Sequence, residues 1–136
     1  AESAKFIEAF ARLGLVPDAG GTWHLTRLLG EARAKGLALT AEPLPANTAA
    51  EWGLIWKAVP DDKLMDEATT MVGTFANGPT VGYSLTKQAI QAAPTNDLDT
   101  HLDLERDLQR QAGASKDYRE GVAAFMEKRA PRFTGE

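Results

Sequence analysis

The sequence predicts a mainly α-helical protein with two short β-strands, on three observations. Four segments in the second half of the chain have the apolar spacing and composition of helices and are separated by Pro, Gly and Asn. The first half contains a run rich in Ala, Leu, Lys and Arg, which are good helix formers. Only two short stretches, residues 4–6 and 54–59, favour strands. Because two short strands do not make a stable sheet by themselves, we expect them to need pairing partners from outside the chain.

The first sixty residues are predicted as strands and short helices separated by residues that end them. Gly30 ends the first helix, Pro43 and Pro45 follow the second, and Gly53 ends the third. The predicted elements are a strand over residues 4–6, helices over 22–29, 31–40 and 47–52, and a strand over 54–59 that closes at Pro60.

The remainder is predicted as four helices. Asp117, with Glu120 three residues later, resembles a capping box, so we expect the last helix to begin there. The predicted helices cover residues 64–76, 80–92, 98–112 and 117–129.

Composition excludes several classes of function. The 136 residues suit one domain, and 43% hydrophobic with 25% charged residues is typical of a soluble globular protein. A net charge of −4 without a basic cluster disfavours a nucleic-acid partner. The absence of cysteine removes disulfides and thiol catalysis, and His24 and His101 lack ligand spacing, so no metal site is predicted. No segment has the apolar length of a membrane span or signal peptide, which favours a cytoplasmic protein without a membrane partner.

The segment from Gly14 to Thr22 is the candidate functional motif. A short apolar run ends at Pro17-Asp18, and Gly20 and Gly21 then open a helix. This order places one carboxylate at a loop-to-helix junction, where backbone N–H groups are free. Asp18 is therefore either the N-cap of the helix or a group that transfers protons. A phosphate-binding loop is disfavoured, because no Lys-Ser/Thr pair follows the glycines.

Together with further motifs at matching spacing, this segment resembles the second half of the crotonase family, the acyl-CoA hydratases and isomerases. The resemblance covers nearly the whole chain. It implies the C-terminal half of a crotonase-like ββα superhelix, in which residues 1–60 belong to the core and residues 61–136 form a helical trimerisation tail. The matching motifs are Ala4-Lys5-Phe6, Arg27-Leu28-Leu29-Gly30, Gly53-Leu54, Asp117 to Gly121 and Ala124 to Arg129.

The resemblance also implies an enzyme that holds an acyl-CoA thioester. In the family, two backbone N–H groups polarise the thioester carbonyl and an acid or base moves protons on nearby carbons. Those N–H donors belong to the half of the family that this chain does not match, so the isolated chain is expected to be inactive. Family hydratases carry a glutamate eight residues before the position of Asp18, where this chain has Phe10. Asp18 occupies the position at which isomerases and dehalogenases carry an aspartate, and it is the candidate acid/base residue.

Phe125 and Lys128 match positions at which the last helix of the family touches the adenine end of coenzyme A. The alternative roles are core packing for Phe125 and a solvated surface charge for Lys128. Coenzyme A is part of the substrate, so the resemblance implies no separate cofactor. It implies a homo-oligomer, a trimer or hexamer in the complete enzyme.

A narrower resemblance concerns the substrate. Trp23, Glu51 to Trp56 and Leu98 to Asp107 resemble the branch of the family that converts ring-1,2-epoxyphenylacetyl-CoA to its seven-membered oxepin in aerobic phenylacetate degradation. Enoyl-CoA double-bond isomerisation is a second activity consistent with it. Two alternatives stay open, a generic enoyl-CoA hydratase or isomerase of fatty-acid oxidation and a non-catalytic helical oligomerisation module. Activity on an acyl-CoA excludes the module, and water addition to crotonyl-CoA identifies a hydratase.

Overall fold

The computed structural model describes all 136 residues. It divides into two compact units, Ala1–Ala68 and Thr69–Glu136. As predicted, the chain is mainly helical with two short strands, and no helix has both the length and the apolar character to cross a bilayer. The elements are β1 (Lys5–Phe6), α1 (Gly21–Leu29), α2 (Glu31–Thr40), β2 (Leu44–Pro45), α3 (Ala46–Glu51), α4 (Leu64–Ala76), α5 (Thr80–Ala92), α6 (Leu98–Ala114) and α7 (Lys116–Glu127), with 3₁₀ helices over Ala9–Leu13 and Asp61–Lys63.

The predicted strand over residues 4–6 forms as β1 and pairs with β2, which was not predicted as a strand, so β1 has a partner within the chain and the expectation that it needs one from outside is wrong. β1 and β2 run antiparallel, with Phe6 opposite Leu44. The predicted strand over 54–59 is wrong. The N–H of Leu54 instead donates to the carbonyl of Ala49 at 2.9 Å, which closes α3, and the segment joins no ladder. Its β-rich composition does not produce a strand, because its contact with the N-terminal segment is a single backbone hydrogen bond, from the N–H of Glu2 to the carbonyl of Val59 at 2.9 Å, and not a ladder.

The first unit packs around the contact between α1 and α2. Leu25 and Leu29 on α1 and Ala34 on α2 are buried together, and Trp52 packs against them. The guanidinium of Arg33 lies 4.6 Å from the centre of the Trp52 ring, a cation–π contact that covers this core. The core therefore fixes α1, the helix that follows the candidate motif.

In the second unit, the predicted capping box at the start of α7 is wrong. The N-cap is Ser115, whose hydroxyl accepts a hydrogen bond from the N–H of Tyr118 at 3.0 Å. Asp117 instead lies inside the helix, 2% exposed, and accepts hydrogen bonds from the N–H groups of Thr134 at 2.7 Å and Gly135 at 2.9 Å. Its carboxylate thus ties the last residues of the chain to α7, a tertiary role that local spacing does not show.

Replacing Asp117 by Asn should lower the free energy of unfolding by about 1–3 kcal/mol, because the buried amide nitrogen faces an N–H donor that it cannot satisfy. Chemical denaturation of the full chain measures this change. Asp99→Asn is the matched control, since Asp99 is exposed in the first turn of α6 and should change stability by less than about 0.5 kcal/mol. Equal stability of the two variants would contradict the tethering role of Asp117.

Candidate functional site

The candidate motif forms a tight turn directly before α1. The N–H of Gly21 donates to the carbonyl of Asp18 at 2.8 Å. Within the turn, Ala19 has φ 49° and Gly20 has φ 81°, so two successive residues lie in the left-handed region. For Ala19 this conformation costs about 1–2 kcal/mol, because its Cβ approaches the following carbonyl. Strained backbone of this kind is concentrated at functional sites, where the surrounding structure holds it in place.

The carboxylate of Asp18 does not cap α1, so the capping interpretation of this residue is wrong. The N-cap is Gly20, and no side chain accepts a hydrogen bond from the first turn. The left-handed turn inserts two residues between Asp18 and the helix, which moves the carboxylate away from the N-cap position. Asp18 is exposed. The structure therefore leaves this carboxylate available to a ligand.

The two glycines are explained by the turn itself. At Gly20 the positive φ favours glycine, and a Cβ there would lie 3.2 Å from Cδ2 of His24. At Gly21 a Cβ would lie 3.3 Å from Cβ of Pro17. The backbone between Asp18 and α1 thus has its present path because neither residue carries a side chain.

Apolar side chains lead up to Asp18 and are exposed. Val16 is 76% and Leu15 is 59% accessible, although both belong to residue types that are usually buried. Phe10 is half-buried in the first 3₁₀ helix. A carboxylate beside exposed apolar side chains is suited to proton transfer on an apolar ligand.

Sequence reasoning missed a second carboxylate at this turn. Oε2 of Glu8 lies 3.7 Å from the position that a Cβ on Gly21 would occupy, and Glu8 is half-buried. Nothing in the spacing of residues 7–10 indicates that this segment folds back against the start of α1.

The other two predicted site residues lie at the end of α7. Phe125 is 82% exposed, so the core-packing interpretation of this residue is wrong. Lys128 is the C-cap of the helix, with φ 54°, and its N–H donates to the carbonyl of Phe125 at 3.2 Å. The structure thus brings Phe125 and Lys128 together in the second unit, while Asp18 belongs to the first.

An ion pair beside Lys128 was not predicted. The guanidinium of Arg129 donates to both oxygens of Glu120, at 2.6 and 3.0 Å, and to Glu127 at 2.6 Å. Hydrogen bonds from Arg129 and from the N–H of Arg132 lower the pKa of Glu120 to about 2, and the two carboxylates raise the pKa of Arg129. Glu120 therefore belongs to an ion pair with Arg129 and not to the predicted capping box.

Known proteins resemble the chain over its whole length. The sequence profile described as enoyl-CoA hydratase/isomerase matches residues 1–136. The 1,2-epoxyphenylacetyl-CoA isomerase of Escherichia coli K12 is 58% identical over 100% of this chain and 52% of its own length. A probable enoyl-CoA hydratase of Rhodobacter capsulatus is 50% identical over 99% of this chain and 52% of its own length.

A solved structure also resembles the chain over its whole length. A crystal structure of an enoyl-CoA hydratase subunit I from Geobacillus kaustophilus superposes with a TM-score of 0.96 at 36% identity, over 100% of this chain and 53% of that one. The chain thus has the fold of about half of such a subunit, and it spans about half the length of the relatives it matches.

Proposed function

The chain belongs to the enoyl-CoA hydratase/isomerase family, the crotonases, and we propose that it supplies the acid/base carboxylate of an acyl-CoA isomerase. The observation that carries the proposal is the placement of Asp18. Its carboxylate is exposed, caps no helix and lies on a strained turn beside apolar side chains.

One carboxylate is enough for isomerisation. As a base it removes a proton from a carbon of the acyl chain, and the negative charge moves to the thioester oxygen. The same group, now protonated, returns the proton to another carbon, so the double bond moves and no atom is gained or lost. Backbone N–H donors that stabilise the enolate oxygen contribute strongly to such reactions. The family resemblance implies that those donors belong to the first half of the family fold, which this chain does not match.

Hydration is the second candidate, favoured by the probable hydratase of Rhodobacter capsulatus at 50% identity. Water addition in the family uses a glutamate at the position of Phe10, and a phenyl ring transfers no proton. We therefore propose isomerisation as the principal reaction.

For the substrate we propose ring-1,2-epoxyphenylacetyl-CoA, converted to its oxepin. Support comes from the 58% identity to the Escherichia coli isomerase and from Trp23, a residue that lies two positions after Gly21 and is 44% exposed, although the guanidinium of Arg27 covers one face of its ring. An aromatic surface near the turn suits a ring-containing acyl group. Coenzyme A then enters as part of the substrate, with no separate cofactor, and the cytoplasmic location stays a prediction.

The partner we propose is a second copy of the chain, within a trimer or hexamer of the complete enzyme. Neither α4 nor α5 buries a residue, and Val72, Phe75 and Ile90 on these helices are each more than half exposed. Such an apolar surface favours association. Sedimentation of the chain over about a hundredfold range of concentration should show species larger than a monomer. A monomer throughout would contradict the proposal.

The test of the proposed reaction uses a hybrid in which residues 1–136 replace the part of the Escherichia coli isomerase that they match. The hybrid is given a 3-enoyl-CoA and, separately, crotonyl-CoA. We expect double-bond isomerisation to exceed hydration by about a hundredfold or more in kcat/KM, because hydration lacks one of its two carboxylates. Hydration as fast as isomerisation would favour the second candidate.

A further inference from the structure

The segment that leads to Asp18 begins at the 3₁₀ helix over Ala9–Leu13. None of the residues of this helix is fully buried, so apolar packing holds it only weakly. Hydrogen-bond geometry within a 3₁₀ helix is poor, and a short one is weakly stable by itself. Arg12 is the only residue of the helix whose side chain forms hydrogen bonds, since the others are Ala, Phe, Ala and Leu. A side-chain hydrogen bond from this helix to another element therefore comes from Arg12.

The side chain of Arg12 connects the 3₁₀ helix to the end of α2. Its Nη2 donates to the carbonyl oxygen of Ala41 at 2.6 Å. Ala41 is the C-cap of α2 and is 1% exposed, so its carbonyl needs a donor from the protein rather than from water. The C-terminal end of a helix also attracts a cation, because the helix dipole is negative there. Arg12 thus satisfies a buried acceptor at a place that favours its charge.

The backbone passes the position of the 3₁₀ helix on to Asp18. The N–H of Leu15 donates to the carbonyl of Phe10 at 3.0 Å, so the chain is bonded to this helix as far as Leu15. Only Val16 and Pro17 then separate Leu15 from Asp18, and the φ of proline is fixed. The side chains of Leu15 and Val16 are exposed and do not hold the segment by packing. A shift of the 3₁₀ helix therefore moves Asp18.

The other side of Asp18 is held by α1. The N–H of Gly21, the first residue of α1, donates to the carbonyl of Asp18 at 2.8 Å. Leu25 and Leu29 on α1 are buried against α2. Both supports of Asp18 thus rest on α2, one through the apolar core and the other through the hydrogen bond from Arg12.

We propose that Arg12 is a positioning residue, which holds the 3₁₀ helix on α2 and thereby fixes the carboxylate of Asp18 relative to α1. The inference rests on the proposed function, in which Asp18 moves protons on the acyl chain. Proton transfer needs its two partners within hydrogen-bond reach, so a displacement of about 1 Å lowers the rate strongly. Loss of the hydrogen bond from Arg12 should therefore act on the rate of reaction more than on substrate binding.

The test measures isomerisation of a 3-enoyl-CoA by the hybrid described above. Arg12→Ala should lower kcat by about tenfold or more and change KM by less than about threefold, because Asp18 is displaced and no substrate contact is removed. Arg12→Lys keeps a donor for the Ala41 carbonyl and should lower kcat by less than about threefold. Guanidinium chloride, at a concentration that does not unfold the hybrid, should restore part of the kcat of Arg12→Ala, and potassium chloride should not.

Arg110→Ala is the matched control. Arg110 is an exposed arginine of α6 that pairs with Asp107 at 3.0 Å, and its loss should change kcat by less than about twofold. Arg12→Gln is a second variant in case Arg12→Ala does not fold. Its side chain keeps an N–H donor but is shorter than that of arginine, so kcat should fall by about threefold or more.

The Asp18→Asn background separates positioning from a general loss of structure. Because Arg12 acts through Asp18, adding Arg12→Ala to Asp18→Asn should lower kcat further by less than about twofold. A general loss of structure would lower kcat equally in both backgrounds. Hydrogen exchange of the same hybrids gives a readout besides activity. The N–H of Leu15 should exchange faster in Arg12→Ala than in wild type, whereas the N–H of Leu29 in the core should not change.

Three results would overturn the inference: a kcat of Arg12→Ala within about threefold of wild type, an equal fall of kcat in both backgrounds, or unchanged exchange at Leu15. The proposed function fails by a different result, a hybrid whose turnover does not depend on Asp18. A hybrid that is slowed by Asp18→Asn but not by Arg12→Ala would keep the proposed function and remove the role of Arg12.

Discussion

Residues 1–136 alone should turn over no acyl-CoA at a rate comparable to that of the hybrid with the Escherichia coli isomerase. The family resemblance places the N–H donors for the thioester oxygen outside this chain, and the chain spans 52% of that isomerase. Loss of even one such donor lowers kcat by about 10²–10³. The rates of chain and hybrid on the same 3-enoyl-CoA measure the difference.

The hybrid also tests the non-catalytic alternative. A hybrid that folds, as judged by circular dichroism, yet turns over no acyl-CoA would favour a helical oligomerisation module. Turnover by the isolated chain near the rate of the hybrid would instead show that residues 1–136 contain every group the reaction needs.

Asp18→Asn should lower the kcat of the hybrid by about 10²–10⁴, the usual contribution of general acid–base catalysis. The amide has the size of the carboxylate but exchanges no proton at neutral pH. Asp66→Asn is the matched control, because Asp66 is exposed in the first turn of α4. A kcat within about threefold of wild type would remove Asp18 from the reaction.

The free energy of unfolding distinguishes proton transfer from helix capping as the role of Asp18. The sequence alone allowed Asp18 as an N-cap, whose removal costs about 1 kcal/mol. Because the structure shows Gly20 as the N-cap, both Asp18→Asn and Asp18→Ala should change the free energy of unfolding by less than about 0.5 kcal/mol. A loss of about 1 kcal/mol in Asp18→Ala alone would restore the capping interpretation.

The bounds of the helices were predicted well because the residues that end them can be identified from the local sequence. One helix ends at Gly30 and another ends at the sequence Asn77-Gly78-Pro79, because the backbone preferences of these residues do not continue a helix. The helices α2, α4 and α5 have the predicted bounds. The strand β2 was missed because Leu44–Pro45 is two residues long and proline-flanked. Its pairing with β1 depends on the path of the helices between them, which local composition does not specify.

The candidate site was also predicted only in part, because some of its features depend on local sequence and others depend on tertiary contacts. The position of Asp18 at a loop-to-helix junction is readable from Pro17 and the two glycines. The left-handed turn that follows Asp18 could not be predicted from the sequence, because alanine does not favour the positive φ that Ala19 adopts. At the other end, Ser115 and Asp117 are both residues that cap helices. Contact with the C-terminal residues decides between them, by drawing the carboxylate of Asp117 away from the helix start.

The formation of oxepin-CoA from ring-1,2-epoxyphenylacetyl-CoA, followed by mass spectrometry in the hybrid with and without Asp18→Asn, tests the central claim most directly. We predict oxepin-CoA from the wild-type hybrid, at a rate about a hundredfold or more above that of Asp18→Asn. No oxepin-CoA from a hybrid that isomerises a 3-enoyl-CoA would contradict the proposed substrate. Equal rates with and without the carboxylate would contradict the claim that Asp18 moves the proton.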